Sequence, residues 1–554
     1  MPRTPKFLGT KTFAKDAIAG LTLGIQSIPA AMATGVLAGV NPVYALYAVM
    51  VATPVGALAT SSAFMSVQTT SAMALLIGDV PAVHAVQDTP AALSMLAILT
   101  GVIMLAFGLL KLGSLLRFVS NAVMVGFING VALLIVLGQL PALTGYASDE
   151  ANKVMAAFDT LMHPRQVEAK TLAIGLLTIL LIVQLERTRL KSLGIVVAMF
   201  GASALVWLLS WDSVGQVRDI AAIADGLPRP ALPLFSAIPA LLVPAVSLAL
   251  VGLVQGAGIG QIYVNPDGKY PDSSRDFTGQ GAANIAAGLF RGMPVGGSIS
   301  ATALVHSAGA RSRFANVYAG VTIVVALLVF SRLIAALAMP ALAALLVVVG
   351  FKAIKPAEVF MVWKTGPTQR LVMTATFVAT LIMPLQFAVF WGVVLSAALF
   401  IVGQSNKTTV KQWVVQPGEI LPLEKDPPSR VEPGTVTVLT AYGSLFYAAA
   451  PAFERQLPQV TRETDRAVVI LALRAPTELG SRLIEVIGHY SRRLRQHGSR
   501  LVLADVCNTV FAQLENTGYI DCLGRENVYR QTERVGESTV QAYEHAVAWV
   551  GEGA

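Results

Sequence analysis

The stretch Met293–Arg313, MPVGGSISATALVHSAGARSR, limits what this chain can fold into more than any other. Pro294, Gly296, Gly297, Ser298, Ser300, Thr302 and Ser307 interrupt its apolar residues, so it is too broken for an ordinary membrane-spanning helix of about 20 apolar residues. It reads as half a helix. A similar stretch, Ala59–Leu76 (ATSSAFMSVQTTSAMALL), lies roughly 230 residues earlier, and paired interrupted segments in two halves point to a transporter's binding site. Backbone that leaves a helix inside a bilayer has to line a polar cavity, and the amides freed at a half-helix N-terminus attract anions.

Composition agrees with a membrane protein: 55% of residues are hydrophobic and 13% charged, against about 25% charged in soluble chains. The formal charge of +8 falls in short loops between apolar runs, where it sets topology, and no nucleic-acid motif accompanies it. No nucleic-acid partner is expected. Cys507 and Cys522 lie in the polar tail without the partners or spacing of a zinc site, and read as ordinary reduced cysteines of a cytoplasmic domain. The basic start, MPRTPKFLGTKTFAKD, lacks a cleavable signal's small-residue site, so the first apolar segment is expected to remain as the first span.

Seven segments are predicted in a first repeat, residues 13–211: Ala17–Ala38, Val43–Ala59, the broken Ser61–Ile77, Pro90–Leu110, Phe118–Leu140, Leu172–Leu185 and Gly194–Trp211. Seven more follow in a second, residues 235–404: Ala237–Tyr263, Phe277–Phe290, the broken Met293–Arg313, Tyr318–Leu333, Ala335–Val349, Leu371–Leu385 and Phe387–Val402. Lys and Arg alternate with this count, with Lys111, Arg117, Arg187, Arg189, Lys191, Lys352 and Lys355 among those assigned to inner loops. An odd number of segments per half gives the halves opposite orientations, the requirement for inverted repeats. Beyond Gln404, Pro417, Pro422, Pro427, Pro428 and Pro433 mark a linker over residues 405–433. Residues 434–554 then alternate strand and helix patterns: strands at Thr435–Thr440, Ser444–Ala448, Ala467–Leu473 and Arg500–Ala504, helices at Glu478–Gln496 and Val510–Gly518. That is a small α/β domain, with no phosphate loop, metal cluster or nucleophile constellation.

Gln68, Thr69 and Thr70 at the expected helix start of segment 3, and Ser298, Ser300, Ala301 and Thr302 at that of segment 10, are candidate substrate contacts through hydroxyls and backbone amides. Gln26 and Gln255 are amides in otherwise apolar spans, costly without partners, and are assigned to the cavity wall. His306, with an ordinary pKa of about 6.5, is the candidate proton carrier; the simpler reading is a histidine hydrogen-bonded within the core. No metal site, cofactor or catalytic residue is expected.

Several short elements occur together: Asp16-Ala-Ile-Ala-Gly20, Ile28-Pro29 and Ala38-Gly39, Ser120–Phe127 with Gln139-Leu140, and Gln280-Gly281 with Asn284 leading into Pro294, Gly297, Ser300 and Thr302. In this order and spacing the chain resembles the sulfate permease (SulP) family of anion transporters over nearly its whole length. Its tail, with Gly443-Ser-Leu-Phe446, is similar to the STAS domain those proteins carry. The resemblance implies a polytopic α-helical membrane protein of fourteen segments in two inverted repeats of seven. It further implies a core of segments 1–4 and 8–11, a gate of segments 5–7 and 12–14, and substrate held between segments 3 and 10, flanked by 1 and 8. A homodimer is implied by the same analogy. Three departures qualify it. Gln255 replaces the carboxylate at which sodium-coupled relatives bind their cation, so no sodium site is expected. Ala301 stands where many relatives have Arg, leaving helix N-termini and hydroxyls to hold the anion. Pro476-Thr-Glu-Leu-Gly480 replaces the Asp-Ser-Ser-Gly of signalling relatives, so no phosphoserine switch is expected.

The expected function is a secondary active anion transporter of the bacterial inner membrane, its N-terminus and STAS-like domain cytoplasmic. It is expected to work by alternating access, as a proton-coupled symporter of a small dicarboxylate such as fumarate. Bicarbonate, sulfate and anion exchange are the alternatives. Rivals of another class are an anion channel or a membrane sensor whose tail does the work. A fold-sharing nucleobase permease is disfavoured because segments 8 and 10 hold no acid.

Overall fold

The computed structural model describes residues 10–84, 88–113, 120–146, 148–150, 152–188, 190, 193–220, 227–405, 408–414, 422–443, 445, 447–474 and 478–552. Phe118 at the expected start of the fifth span, Arg117, Arg189, Lys191, Pro417, Ser444, Phe446, Pro476 and Thr477 lie outside the described residues. The chain divides into two compact units, Met1–Ser396 and Ala397–Ala554.

The first unit runs through α1 (Thr10–Leu37), α2 (Val43–Ala59), a three-residue strand β1 (Ser66–Gln68), α3 (Ser71–Gly78), the single turn α4 (Pro81–His84) and α5 (Thr89–Leu109). There follow α6 (Asn121–Gly138), α7 (Leu140–Thr144), α8 (Lys153–Met162), α9 (Ala169–Glu186), α10 (Leu193–Leu208) and α11 (Val217–Ile220). The later part runs through α12 (Ile238–Ile262), α13 (Ser273–Leu289), β2 (Gly296–Ser298), α14 (Ile299–Ser307), α15 (Phe314–Ala335), α16 (Met339–Ala353), α17 (Pro356–Thr365), α18 (Pro367–Ile382) and α19 (Leu385–Ser405). Six helical stretches among the described residues, for example Thr89–Leu109 and Phe235–Ile262, are long and apolar enough to cross a membrane, and Val43–Ala59, Leu193–Leu208 and Phe390–Gly403 are apolar but shorter. The chain is a multi-pass membrane protein. The twelfth expected span is displaced: Ala335 ends α15, and α16 starts at Met339 because Pro340 fits only the first turn of a helix.

Two groups of helices form within this unit. In one, α1, α2, α3, α5, α12, α13, α14 and α15 pack on one another; in the other, α6 to α10 pack with α16, α17 and α18. Small residues let backbones approach in the first group. A Cβ on Gly281 of α13 would stand 2.6 Å from the Leu105 nitrogen of α5, and one on Gly101 would stand 2.6 Å from the Gly281 oxygen. Buried carboxylates tie down the non-helical links. Asp16 accepts from the amides of Arg311 (2.6 Å) and Ser312 (3.1 Å), and Asp276 from those of Ser61 (2.7 Å) and Ser62 (3.1 Å).

The second unit is a six-stranded sheet in the order β4-β3-β5-β6-β7-β8, built from β3 (Thr409–Val414), β4 (Leu423–Lys425), β5 (Val436–Tyr442), β6 (Val468–Ala472), β7 (Arg500–Val506) and β8 (Val528–Arg530). Pairs β5-β6, β6-β7 and β7-β8 are parallel, and β3 is antiparallel to both β4 and β5. Alternate residues face opposite ways. Leu439, Val469, Leu471 and Leu503 join the core under α21 (Ser481–Gln496) and α22 (Asn508–Asn516); α20 (Ala450–Glu454) and α23 (Tyr519–Leu523) complete that side. Val438, Ile470 and Val502 pack with Ala542 and Ala546 of α24 (Glu537–Gly551). Two expectations need correction. Part of the stretch read as linker, 405–433, is strand, because β3 pairs with β5 inside this sheet and β4 pairs with β3 as its edge. The strand expected over Ser444–Ala448 gives way, among the described residues, to a 3-10 turn at Tyr447–Ala449 that runs into α20.

Candidate functional site

The two broken segments meet. β1 and β2, both fully buried, pair antiparallel in the register Ser66↔Ser298, Val67↔Gly297 and Gln68↔Gly296. Non-helical backbone inside a membrane protein needs partners, and each segment supplies them to the other. Neighbouring helices fix both strands. Thr53 donates to the Val67 oxygen at 2.9 Å, and the Asn316 amide nitrogen to the oxygens of Phe64 (3.3 Å) and Met65 (3.2 Å). On the other side Asn284 exchanges hydrogen bonds with the backbone of Val295 (2.7 and 2.9 Å), and Gln280 accepts from the Gly297 amide at 3.0 Å. Helix α12 crosses so close that a Cβ on Gly297 would lie 2.8 Å from the Cα of Gly256.

Each strand leads directly into a half-helix, β1 into α3 and β2 into α14, so both helix starts border one cavity. Thr70 caps α3 by accepting from the Met73 amide (3.3 Å). Ser298 caps α14 by accepting from the Ala301 amide (3.3 Å) and lies 3.3 Å from the Ser300 hydroxyl. The remaining first-turn amides have no intrahelical acceptor, and each helix start carries about half a positive charge.

The cavity encloses about 700 Å³. Gln26, Gln68, Thr69, Thr70, Gln255, Ser298, Ser300 and Ala301 all line it, among apolar side chains of α1, α6, α12, α16 and α19. Ser27 donates to Oε1 of Gln68 at 3.1 Å, which leaves Nε2 of Gln68 buried and unpartnered. The Oε1 atoms of Gln26 and Gln255 are likewise buried and unpartnered. A buried polar atom without a partner costs about 1–3 kcal/mol, so three such amides on one cavity mark it as a place for a polar guest.

Two expected site residues fall elsewhere. Thr302 is fully buried and does not line the cavity: it donates to the Ser298 oxygen (2.7 Å) and accepts from the Ser66 amide (3.0 Å), pinning β1 to α14. One residue after Ala301 the helix has turned away from the cavity by about 100°. His306 sits in the last turn of α14, exposed, against the rings of Phe64 (5.1 Å) and Tyr263 (5.2 Å), and also away from the cavity wall. Sequence reading missed Ser27 and Thr34, which line the cavity from α1; Thr34 lies 2.8 Å from the Thr69 hydroxyl. Their spacing of seven places them on one helix face, a signal legible beforehand. It also missed Lys352 and Lys355 at the cavity border, paired with Glu186 and Glu358 respectively. Nothing local distinguishes them from other loop lysines.

The model of the sulfate permease family matches residues 13–376, and that of the STAS domain residues 427–534. The chain is similar to a putative sulfate transporter, YvdB, of Bacillus subtilis, at 24% identity over 94% of this chain and 97% of that one. It is similar also to a probable sulfate transporter, Rv1739c, of Mycobacterium tuberculosis, at 28% identity over 93% of each. Its fold resembles that of murine solute carrier 26 family member A9, an anion transporter solved in the inward-facing state, with a TM-score of 0.86 at 18% identity, covering 98% of this chain and 93% of that one. The transmembrane domain of a cyanobacterium bicarbonate transporter, BicA, aligns with a TM-score of 0.60 at 23% identity, over 69% of this chain and 98% of that domain. The chain therefore belongs to the sulfate permease family, as a transport protein and not an enzyme, and carries a C-terminal STAS domain.

Proposed function

We propose that the protein is a secondary active transporter that carries a small anion by alternating access across the bacterial inner membrane. Its fourteen segments form inverted repeats over residues 13–211 and 235–404, and its N-terminus and STAS domain face the cytoplasm. The observation that carries this reading is the convergence of α3 and α14 on one cavity, with the unpartnered donor of Gln68 beside them. First-turn amides, Thr70 and Ser300 hold the anion, and Gln26 and Gln255 form the polar part of the wall.

Charge sets the substrate class. Two helix starts supply about one positive charge together, and the lysines among the described lining residues, Lys352 and Lys355, are each paired with a carboxylate, Glu186 and Glu358. The site therefore suits a guest of net charge near minus one. A dianion meets that condition when a proton travels with it, which supports proton-coupled symport of a dicarboxylate such as fumarate, with sulfate in the same class. Because His306 lies off the cavity, the proton rides on the substrate. Bicarbonate is the second reading, favoured by the same charge match, since it already carries one negative charge.

Counterflow in proteoliposomes with labelled fumarate, sulfate and bicarbonate tests the proposal. The expected result is saturable dicarboxylate exchange, accelerated by an inward proton gradient and indifferent to replacing sodium with potassium. Bicarbonate exchange that ignores the proton gradient transfers the assignment to the second reading. Unitary currents without saturation refute a carrier.

A further inference from the structure

Among the described residues, none of α3 beyond Ala72, of α6 beyond Ile135 or of α8 lines the cavity. Its wall follows α6 from Met124 to Ile135 and includes the exposed Lys352 and Lys355, which mark its solvent-facing side. Beyond its closed end, α3 continues from the cavity-lining Thr70 through eight residues to Asp79, a rise of about 12 Å. Asp79 there meets Lys153, the first residue of α8, with Nζ 3.0 Å from Oδ1. The Lys153 stem lies over the far end of α6, 3.5 Å from where a Cβ on Gly138 would stand. Among the described residues of the first unit, this is the ion pair that joins the two helix groups: Lys352–Glu186 and Lys355–Glu358 lie within the second group, and His163–Asp159 within α8 and its C-terminal flank. α3 carries the substrate site at one end and this charge at the other.

We propose that the Lys153–Asp79 pair is the latch that holds the far side of the transport path shut while the cavity is open beside Lys352, and that it breaks in each transport cycle. The inference rests on the alternating-access reading. Any motion that carries α3 past α6 and α8 separates the two charges, and while they are joined the far entrance stays closed. Both side chains are about a quarter exposed, at 26% and 28%, which places the pair in the weak class and makes it a reversible catch rather than a lock.

The test reads which side the cavity faces without using substrate. Val349, half-buried on the cavity wall, is changed (Val349→Cys) in a full chain carrying Cys507→Ser and Cys522→Ser, and a membrane-impermeant maleimide is applied to sealed proteoliposomes from each side in turn. The ratio of far-side to near-side labelling reports the balance of the two states. Asp79→Lys or Lys153→Asp alone is expected to raise that ratio about two- to fivefold, the range set by an ion pair of this exposure. Asp79→Lys with Lys153→Asp is expected to restore it. An unchanged ratio in the single variants, or no restoration in the double one, overturns the latch. A ratio that responds as expected in a protein showing no anion counterflow supports the latch and refutes the transport reading instead.

Discussion

Thr302 sharpens what the site depends on. Its hydroxyl is the partner of the Ser66 amide and sits in a fully buried position, so Thr302→Val keeps shape and volume while removing that acceptor. Ser66 lies in a strand whose backbone is enclosed, and no water replaces the lost bond. The cost is that of an orphaned buried amide, about 1–3 kcal/mol, and it falls on stability rather than on a substrate contact. Thr302→Ser keeps the hydroxyl and should recover most of the loss. The assay pairs thermal denaturation of the detergent-solubilised protein with half-saturation in counterflow. Thr302→Val should denature at a lower temperature, and its surviving fraction should bind with nearly unchanged affinity. If Thr302→Val were as stable as the parent yet lost affinity to the extent of a cavity hydroxyl, the hydroxyl would face substrate and the strand-pinning argument would be wrong.

Ser300→Ala should show the opposite pattern, because that hydroxyl is exposed to the cavity: unchanged denaturation and an affinity loss of about 10- to 150-fold, the worth of a hydrogen bond to a charged group, read by counterflow. Ala301→Arg adds a fixed positive charge beside the α14 start and should move preference toward fully ionised dianions while weakening dependence on the proton gradient; competition between sulfate and a monoanion at two pH values measures this. In the second unit, burial pushes the Tyr490 phenol up, while its hydroxyl donates to the Pro458 oxygen at 2.9 Å. The folded state therefore keeps a proton that the unfolded state loses above about pH 10, so stability from this group is intact below that pH and falls as pH rises through it. Tyr490→Phe should flatten the alkaline arm of a denaturation profile taken from about pH 9 to 11.

The parts of this molecule that announced themselves in the sequence did so through conflict with their surroundings. Polar residues breaking apolar runs at Ser61–Ile77 and Met293–Arg313 have no explanation in a simple helix, and β1-α3 and β2-α14 follow from them. Gln26 and Gln255 stood out for the same reason and do line the cavity. What stayed hidden depends on contacts distant in the chain. Whether Thr302 or Ala301 faces the guest is decided by one step of helix rotation relative to β1, which no local pattern specifies. His306 looked special as a histidine inside a span, but α14 ends at Ser307, and the ring emerges in its last turn. β4 is three exposed residues, Leu423, Glu424 and Lys425, and β3 carries Lys411 and Gln412 among its apolar residues, so neither alternates strongly enough to reveal it. Helix α24 is legible in the sequence as well, since Val540, Tyr543, Ala546, Val547 and Val550 repeat at helical spacing.

The pairing of β1 with β2 also sets a timetable for biosynthesis. Ser66 cannot find Ser298 until roughly 230 more residues have left the ribosome, which at about 5–20 residues per second takes on the order of 10–50 s. For that interval the peptide groups of Ser66, Val67 and Gln68 sit in a half-made protein without the partner strand that later satisfies them. The helices before them are already able to insert, so insertion and completion of the fold are separate events. Nascent chains halted before Gly296 should be integrated yet cleavable near Ser66, and chains released after Ser307 should become resistant there.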